Sequence, residues 1–145
     1  MAQLLIPYFS RLKKRAPKKM RQVLIAPHFF QIGRHGGITM IETELSSQKD
    51  FESSIENGVT LVDFNATWCA PCRAQEPILD EVQKAFEGKA TFIKINIDHN
   101  QKIAVKLGIQ SIPTLVFFKE GKELARLIGI QDAEALDRVL TDIVK

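Results

Sequence analysis

The chain has 145 residues, 45% hydrophobic and 26% charged, a balance that suits one ordinary globular domain and excludes disorder or collagen as an overall description. No apolar run approaches the roughly 18 to 20 residues of a membrane-spanning helix, and two cysteines are too few for a secreted disulfide framework. The net charge of +3 conceals two unlike segments: residues 1–39 hold eight of the twenty basic residues and none of the seventeen acidic ones, so a leader of +8 precedes a body of −5.

That division places a boundary at Met40, with residues 1–39 a basic N-terminal extension and 40–145 the folded domain. The leader admits three readings. It is rich in Arg and Lys and free of acids, as transit peptides are, yet it has the single serine Ser10, and prolines interrupt any long amphipathic helix. It could be a basic arm for anionic lipid or nucleic acid, although neither aromatic interleaving nor a recognised nucleic-acid fold supports this, and no nucleic-acid partner is expected. Alternatively, translation begins at Met40: Gly36-Gly37 can be encoded by a purine run of ribosome-binding type, at a suitable distance from a start codon there.

From Ile38 the periodicities are regular. Residues 38–43 alternate well enough for a short edge strand, and Ser46 to Glu56 reads as a helix with a serine N-cap, ended by Asn57-Gly58. Val59 to Phe64 is nearly continuous β-branched and apolar, the pattern of a central strand covered on both faces. Arg73 to Phe86 has helical spacing at Ile78, Leu79, Val82 and Phe86, with Pro77 inside it predicting a kink. Gly88 closes that helix, and Ala90 to Ile97 supplies the next strand. Asn100 to Leu107 predicts a short helix ending at Gly108. The strands Thr114 to Phe118 and Lys122 to Ile128 flank Lys119-Glu120-Gly121, which is hairpin spacing. Asp132 caps a last helix whose apolar stripe runs through Ala135, Leu136, Val139, Leu140 and Ile143. The order β-α-β-α-β-α-β-β-α predicts an α/β domain with a mixed central β-sheet and helices on both faces.

Ala66-Thr67-Trp68-Cys69-Ala70-Pro71-Cys72-Arg73 contains both cysteines and the only tryptophan. A zinc site needs about four ligands, and only His28, His35 and His99 are available besides the cysteines, two of them in the leader. No metal is therefore expected. A staple is a poor explanation, because the loop the pair would close is too short to constrain the unfolded chain much. A redox pair suits the position between a buried strand and a helix: Cys69 falls at the helix N-terminus, where unpaired N–H groups and the macrodipole favour a thiolate. Pro71 is harmless in the first turn, where its missing N–H would be an orphan. Cys72, one turn deeper, is placed to attack any disulfide that Cys69 forms. A C-x-x-C pair beside a βαβ pattern is itself a thioredoxin-like signature.

Several motifs, in order, resemble the thioredoxin family: Val62-Asp63-Phe64, Trp68-Cys69-Ala70-Pro71-Cys72, Pro77, Lys94-Ile95-Asn96-Ile97-Asp98, Ser111-Ile112-Pro113-Thr114, Gly121 and Gly129. The resemblance spans nearly all of residues 40–145. It implies a thioredoxin fold and a protein-disulfide reductase that maintains redox homeostasis. It further implies no cofactor of its own, disulfide-containing client proteins, and re-reduction by an NADPH-dependent thioredoxin reductase. A cytoplasmic monomer is expected, or an organelle-targeted one if the leader is an address. By the same resemblance Cys69 is the nucleophile, Cys72 the resolving thiol, Asp63 the buried carboxylate serving the resolving step, and Lys94 its charge partner. Pro113 follows a cis peptide bond, and Trp68, Ala70, Pro71, Ile112, Pro113 and Gly129, with the loop around Ile128, form the client-contact surface.

Taken singly, several of these residues have plainer readings. Asp63 could be an ordinary strand-end residue, Lys94 a solvated or paired lysine, and His99 a polar residue with no catalytic task. Two departures from the family pattern stand out. Ala70-Pro71 replaces the usual Gly-Pro, which bears on the reduction potential, and Asn65 replaces a tryptophan common after the Asp-Phe pair, which bears on packing behind the cysteines. An oxidant or isomerase on the same fold would need a much higher potential and an apolar export leader, which this leader does not resemble. A non-catalytic binding module would have no need of both cysteines.

Overall fold

The computed structural model describes residues 41–42 and 47–145. The leader and most of the strand expected over 38–43 lie outside the described residues. The elements are β1 (Ile41–Glu42), α1 (Gln48–Ile55), β2 (Val59–Asn65), α2 (Ala70–Ala85), β3 (Thr91–Asn96), α3 (Gln101–Lys106), β4 (Thr114–Lys119), β5 (Lys122–Ile128) and α4 (Ala133–Val144). They form one five-stranded sheet in the order β1-β3-β2-β4-β5. The β1/β3 and β3/β2 pairs are parallel, whereas β2/β4 and β4/β5 are antiparallel.

The central position of β2 explains its composition. All seven of its residues are buried, because β3 and β4 flank it and helices cover both faces. Successive side chains leave a strand on opposite sides, and the core divides accordingly. Leu61, with Leu115 and Phe117, packs on Leu79 and Val82 of α2, on its C-cap residue Phe86, and on Leu136 and Leu140 of α4. Val62 and Phe64 join Phe51 and Ile55 of α1 and Ile103 of α3 on the other side. Asp63 therefore shares the side of Leu61, toward α2. Leu61, Leu79, Leu115, Leu136 and Leu140 are fully buried, and truncating one such leucine to alanine costs roughly 2–5 kcal/mol. That is a large share of a typical total stability of about 5–15 kcal/mol.

Local chemistry sets the ends of the elements. Ser47 caps α1 by accepting from the Asp50 amide at 3.3 Å, and Asp132 caps α4 by accepting from Ala135 N at 2.7 Å. The β4–β5 hairpin closes with Glu120 (φ +49°) and Gly121 (φ +76°). Two successive positive φ values match the right-handed twist of the flanking strands, and glycine supplies the second without a Cβ penalty. Helix α2 begins at Ala70, three residues earlier than its apolar spacing predicts, and continues through Pro77 without a break. Its first turn is set by capping at Cys69 rather than by an apolar stripe, so periodicity could not reveal it.

Candidate active site

The end of β2 hands the chain directly to the cysteines. Ala66 O accepts the Cys69 amide at 3.2 Å, and Cys69 occupies the N-cap of α2, with its sulfur accepting from Cys72 N at 3.2 Å. The cap makes the chemistry: the atom that satisfies an orphan helix donor is the atom that would carry thiolate charge. The Arg73 guanidinium donates to Thr67 O at 3.0 Å and ties the turn from outside. Cys69 and Cys72 are joined by a disulfide with a Cα–Cα separation of 5.3 Å. They are 4% and 3% exposed, so helix position, not burial, distinguishes them in the oxidised state. Cys69 is at the cap, and Cys72 is one turn inside.

Around the pair, Ile97 and Ile112 pack on Ala66, Cys69 and Cys72. The Ile112–Pro113 peptide is cis. Pro113 O accepts the Gly129 amide at 2.8 Å, which ties the loop after β5 to the proline segment, and Gly129 has φ +82°, a conformation strained for any residue with a Cβ. Ala70 and Pro71 are exposed at the start of α2. Trp68 is 66% exposed, and its indole Nε1 donates to Asp98 Oδ2 at 2.9 Å. Ile128 and Ile130 are also exposed, a concentration of large apolar side chains at the C-terminal end of β5.

On the α2 side of β2, Asp63 is 0% exposed. Burial pushes its carboxyl up from 3.8 to about 6, opposed by a hydrogen bond from Asn65 and by the charge of Lys94, while the charge of Glu76 adds to the rise. Asn65 Nδ2 donates to Asp63 Oδ2 at 3.1 Å, and Asp63 Oδ1 is buried with no hydrogen-bond partner among the described residues. Lys94 lies opposite Asp63 in the β2/β3 register. Its ammonium, however, donates to Glu76 of α2, so its influence on Asp63 is that of a nearby charge rather than a direct bond.

Three contributors were not singled out by the sequence reading. In the sequence Asn65 reads only as a packing difference, although its spacing of two from Asp63 on one strand places both on the same face. Glu76 follows Cys72 by four, and Gln75, whose side chain bonds the Gln131 backbone, follows Cys72 by three, the spacings that share a helix face. Among the described residues no cluster of three or more His, Cys, Asp or Glu side chains could hold a metal ion, and no helix is long and apolar enough to cross a membrane.

Comparison with known proteins places these features in one group. The thioredoxin family model matches residues 42–142. The thioredoxin of Staphylococcus aureus is 46% identical over 91 residues, which cover 63% of this chain and 88% of that protein. Among solved structures, oxidised thioredoxin from Plasmodium falciparum is 32% identical with a TM-score of 0.61, covering 70% of this chain and 96% of that one. Mitochondrial thioredoxin 3 from Saccharomyces cerevisiae, also oxidised, is 30% identical with a TM-score of 0.64, covering 70% and 94%.

Proposed function

The chain belongs to the thioredoxin family and is a protein thiol-disulfide oxidoreductase acting on disulfide-containing client proteins, and on that premise we propose that it works in the reducing direction. The observation that carries the proposal is the Cys69–Cys72 pair at the N-terminus of α2 together with the buried carboxylate of Asp63 on the side of β2 that α2 covers.

In the reduced protein, the Cys69 thiolate, favoured by the helix terminus, attacks one sulfur of a client disulfide. The client S–S bond breaks, one client sulfur leaves as a thiolate, and a mixed disulfide to Cys69 forms. Asp63 takes the Cys72 proton, and the new thiolate attacks Cys69. The second client sulfur departs, leaving the client with two more electrons and this protein with its Cys69–Cys72 disulfide. An NADPH-dependent thioredoxin reductase returns the two electrons. Lys94, held by Glu76, keeps a positive charge near Asp63 without neutralising it by direct contact. Trp68, Ala70, Pro71, Ile112 and Gly129, with the buried Pro113 beneath them, form the surface on which the client segment lies, the exposed indole being suited to apolar contact.

Residues 40–145 are the thioredoxin domain and residues 1–39 an appended basic segment; the protein acts as a monomer in the cytoplasm unless that segment serves as an organelle address. The test of direction is an equilibrium titration of the dithiol against glutathione, followed by the fluorescence of Trp68, the sole tryptophan. The expected potential lies below about −230 mV, on the thioredoxin side of protein disulfide isomerase. A value near −150 mV would overturn the reductase reading.

A further inference from the structure

We propose that Asn65 is a positioning residue that holds the Asp63 carboxylate by Oδ2, so that the proton of Cys72 is received on Oδ1. This rests on the reading of Asp63 as the proton acceptor for resolution. Asn65 is itself buried, and its side-chain amide donates both to Asp63 Oδ2 at 3.1 Å and to Asp63 O at 3.3 Å. The amide thus grips the carboxylate and the backbone of the same residue, which fixes the carboxyl plane relative to β2.

No other described side chain bonds to this carboxylate. Lys94 faces it from β3 but gives its hydrogen bond to Glu76, Glu76 approaches from α2 as a like charge, and the in-register neighbour on β4 is the apolar Leu115. Among the described residues, Oδ1 is consequently the one carboxylate oxygen buried without a partner. A buried acceptor in that state carries a desolvation penalty that protonation relieves, whereas a proton on Oδ2 would weaken the bond Asn65 already makes. The same bond favours the ionised form. It opposes the effect of burial and keeps a usable fraction of base near neutral pH. The departure from tryptophan at position 65 thus adds a polar contact to the proton acceptor.

The experiment uses the full chain. In oxidised wild-type protein with 13C-labelled aspartate, the Asp63 Cγ resonance gives the titration midpoint, and the Asn65 side-chain amide resonances are expected to move with that same midpoint. In Asn65→Leu, which has the same branching and side-chain heavy-atom count but no donor, the midpoint is expected to rise by about one to two pH units, as loss of a hydrogen bond to a charged group predicts. The acid limb of mixed-disulfide decay, followed by rapid quench, is expected to rise by the same amount. A midpoint unchanged in Asn65→Leu would overturn the positioning role and leave the proton-acceptor reading standing. A midpoint that moves while decay is unaltered at every pH would overturn the proton-acceptor reading, and with it this use of Asn65. Should Asn65→Leu fail to fold, the wild-type measurement decides alone: Asn65 amide resonances that stay still through the Asp63 titration overturn the proposal.

Discussion

Asp63 is where the fold and the chemistry pull against each other. Its carboxyl is raised to about 6 chiefly by burial, so the folded chain releases the proton less readily than the unfolded one. At low pH both states bind the proton and no penalty exists. As pH rises from about 4 to 6 the unfolded chain ionises first, and stability is lost until the folded carboxyl also ionises. A shift from 3.8 to about 6 corresponds to a loss on the order of 3 kcal/mol at pH 7. Asp63→Asn should therefore stabilise the oxidised protein at pH 7 to 8 by up to that amount and have little effect near pH 3, as urea titrations at the two pH values would show. Equal effects at both would mean that ionisation of Asp63 costs nothing. The two sulfurs divide differently. Because Cys69 and Cys72 are equally buried, only helix position predicts which attacks first, and Cys72→Ser should accumulate client proteins as adducts that dithiothreitol releases. Trapping by Cys69→Ser instead would reverse the assignment.

Helix α2 does more than present the cysteines. Gln75 is fully buried one turn beyond Cys72, with Oε1 accepting Gln131 N at 2.7 Å and Nε2 donating to Gln131 O at 3.0 Å. That clasp ties the redox helix to the loop whose Gly129 is bonded to Pro113 O. Gln75→Leu removes both polar side-chain atoms and strands a backbone donor and acceptor, costing on the order of 2 kcal/mol. The loop should loosen, seen as faster amide exchange at Gln131 and a severalfold higher KM for client disulfides with kcat little changed. An unchanged KM would separate the clasp from client contact. Neither partner of this clasp was legible in the sequence, since a glutamine in a helix signals nothing until the loop 56 residues away is seen against it. The elements themselves were legible because each has a local cause: an apolar, β-branched run in β2 and a similar one in β3, a positive-φ turn between β4 and β5, and side-chain caps on α1 and α4. The strand order was not, for it is decided by which faces two separate helix pairs cover. The cysteines and Asp63 could be placed from spacing and resemblance. The bond of Lys94 to Glu76 needed the approach of α2 to β3.

On the scale of the molecule, the uneven charge raises the question of what the basic leader contributes to the domain behind it. Every element of the described sheet and both halves of its core lie at or beyond Ile41, and β1 pairs with β3 through only Ile41 and Glu42. That edge strand contributes only two paired residues, and fraying of a strand end costs far less than the loss of one core leucine. The cysteines, Asp63, Asn65 and the proline segment are all held by contacts within residues 59–131. A chain beginning at Met40 should therefore keep its midpoint of thermal unfolding within a few degrees, equivalent to about 1 kcal/mol or less. It should reduce a client disulfide at the rate of the full chain at moderate salt. Association with an anionic lipid vesicle is the property expected to differ, because removing the leader changes the net charge from +3 to −5. Calorimetry, a turbidimetric insulin-reduction assay and vesicle sedimentation on both chains make the comparison. A fall in unfolding temperature beyond about 8 °C, or a severalfold loss of reduction rate, would place structural or catalytic contacts in residues 1–39 and move the domain boundary.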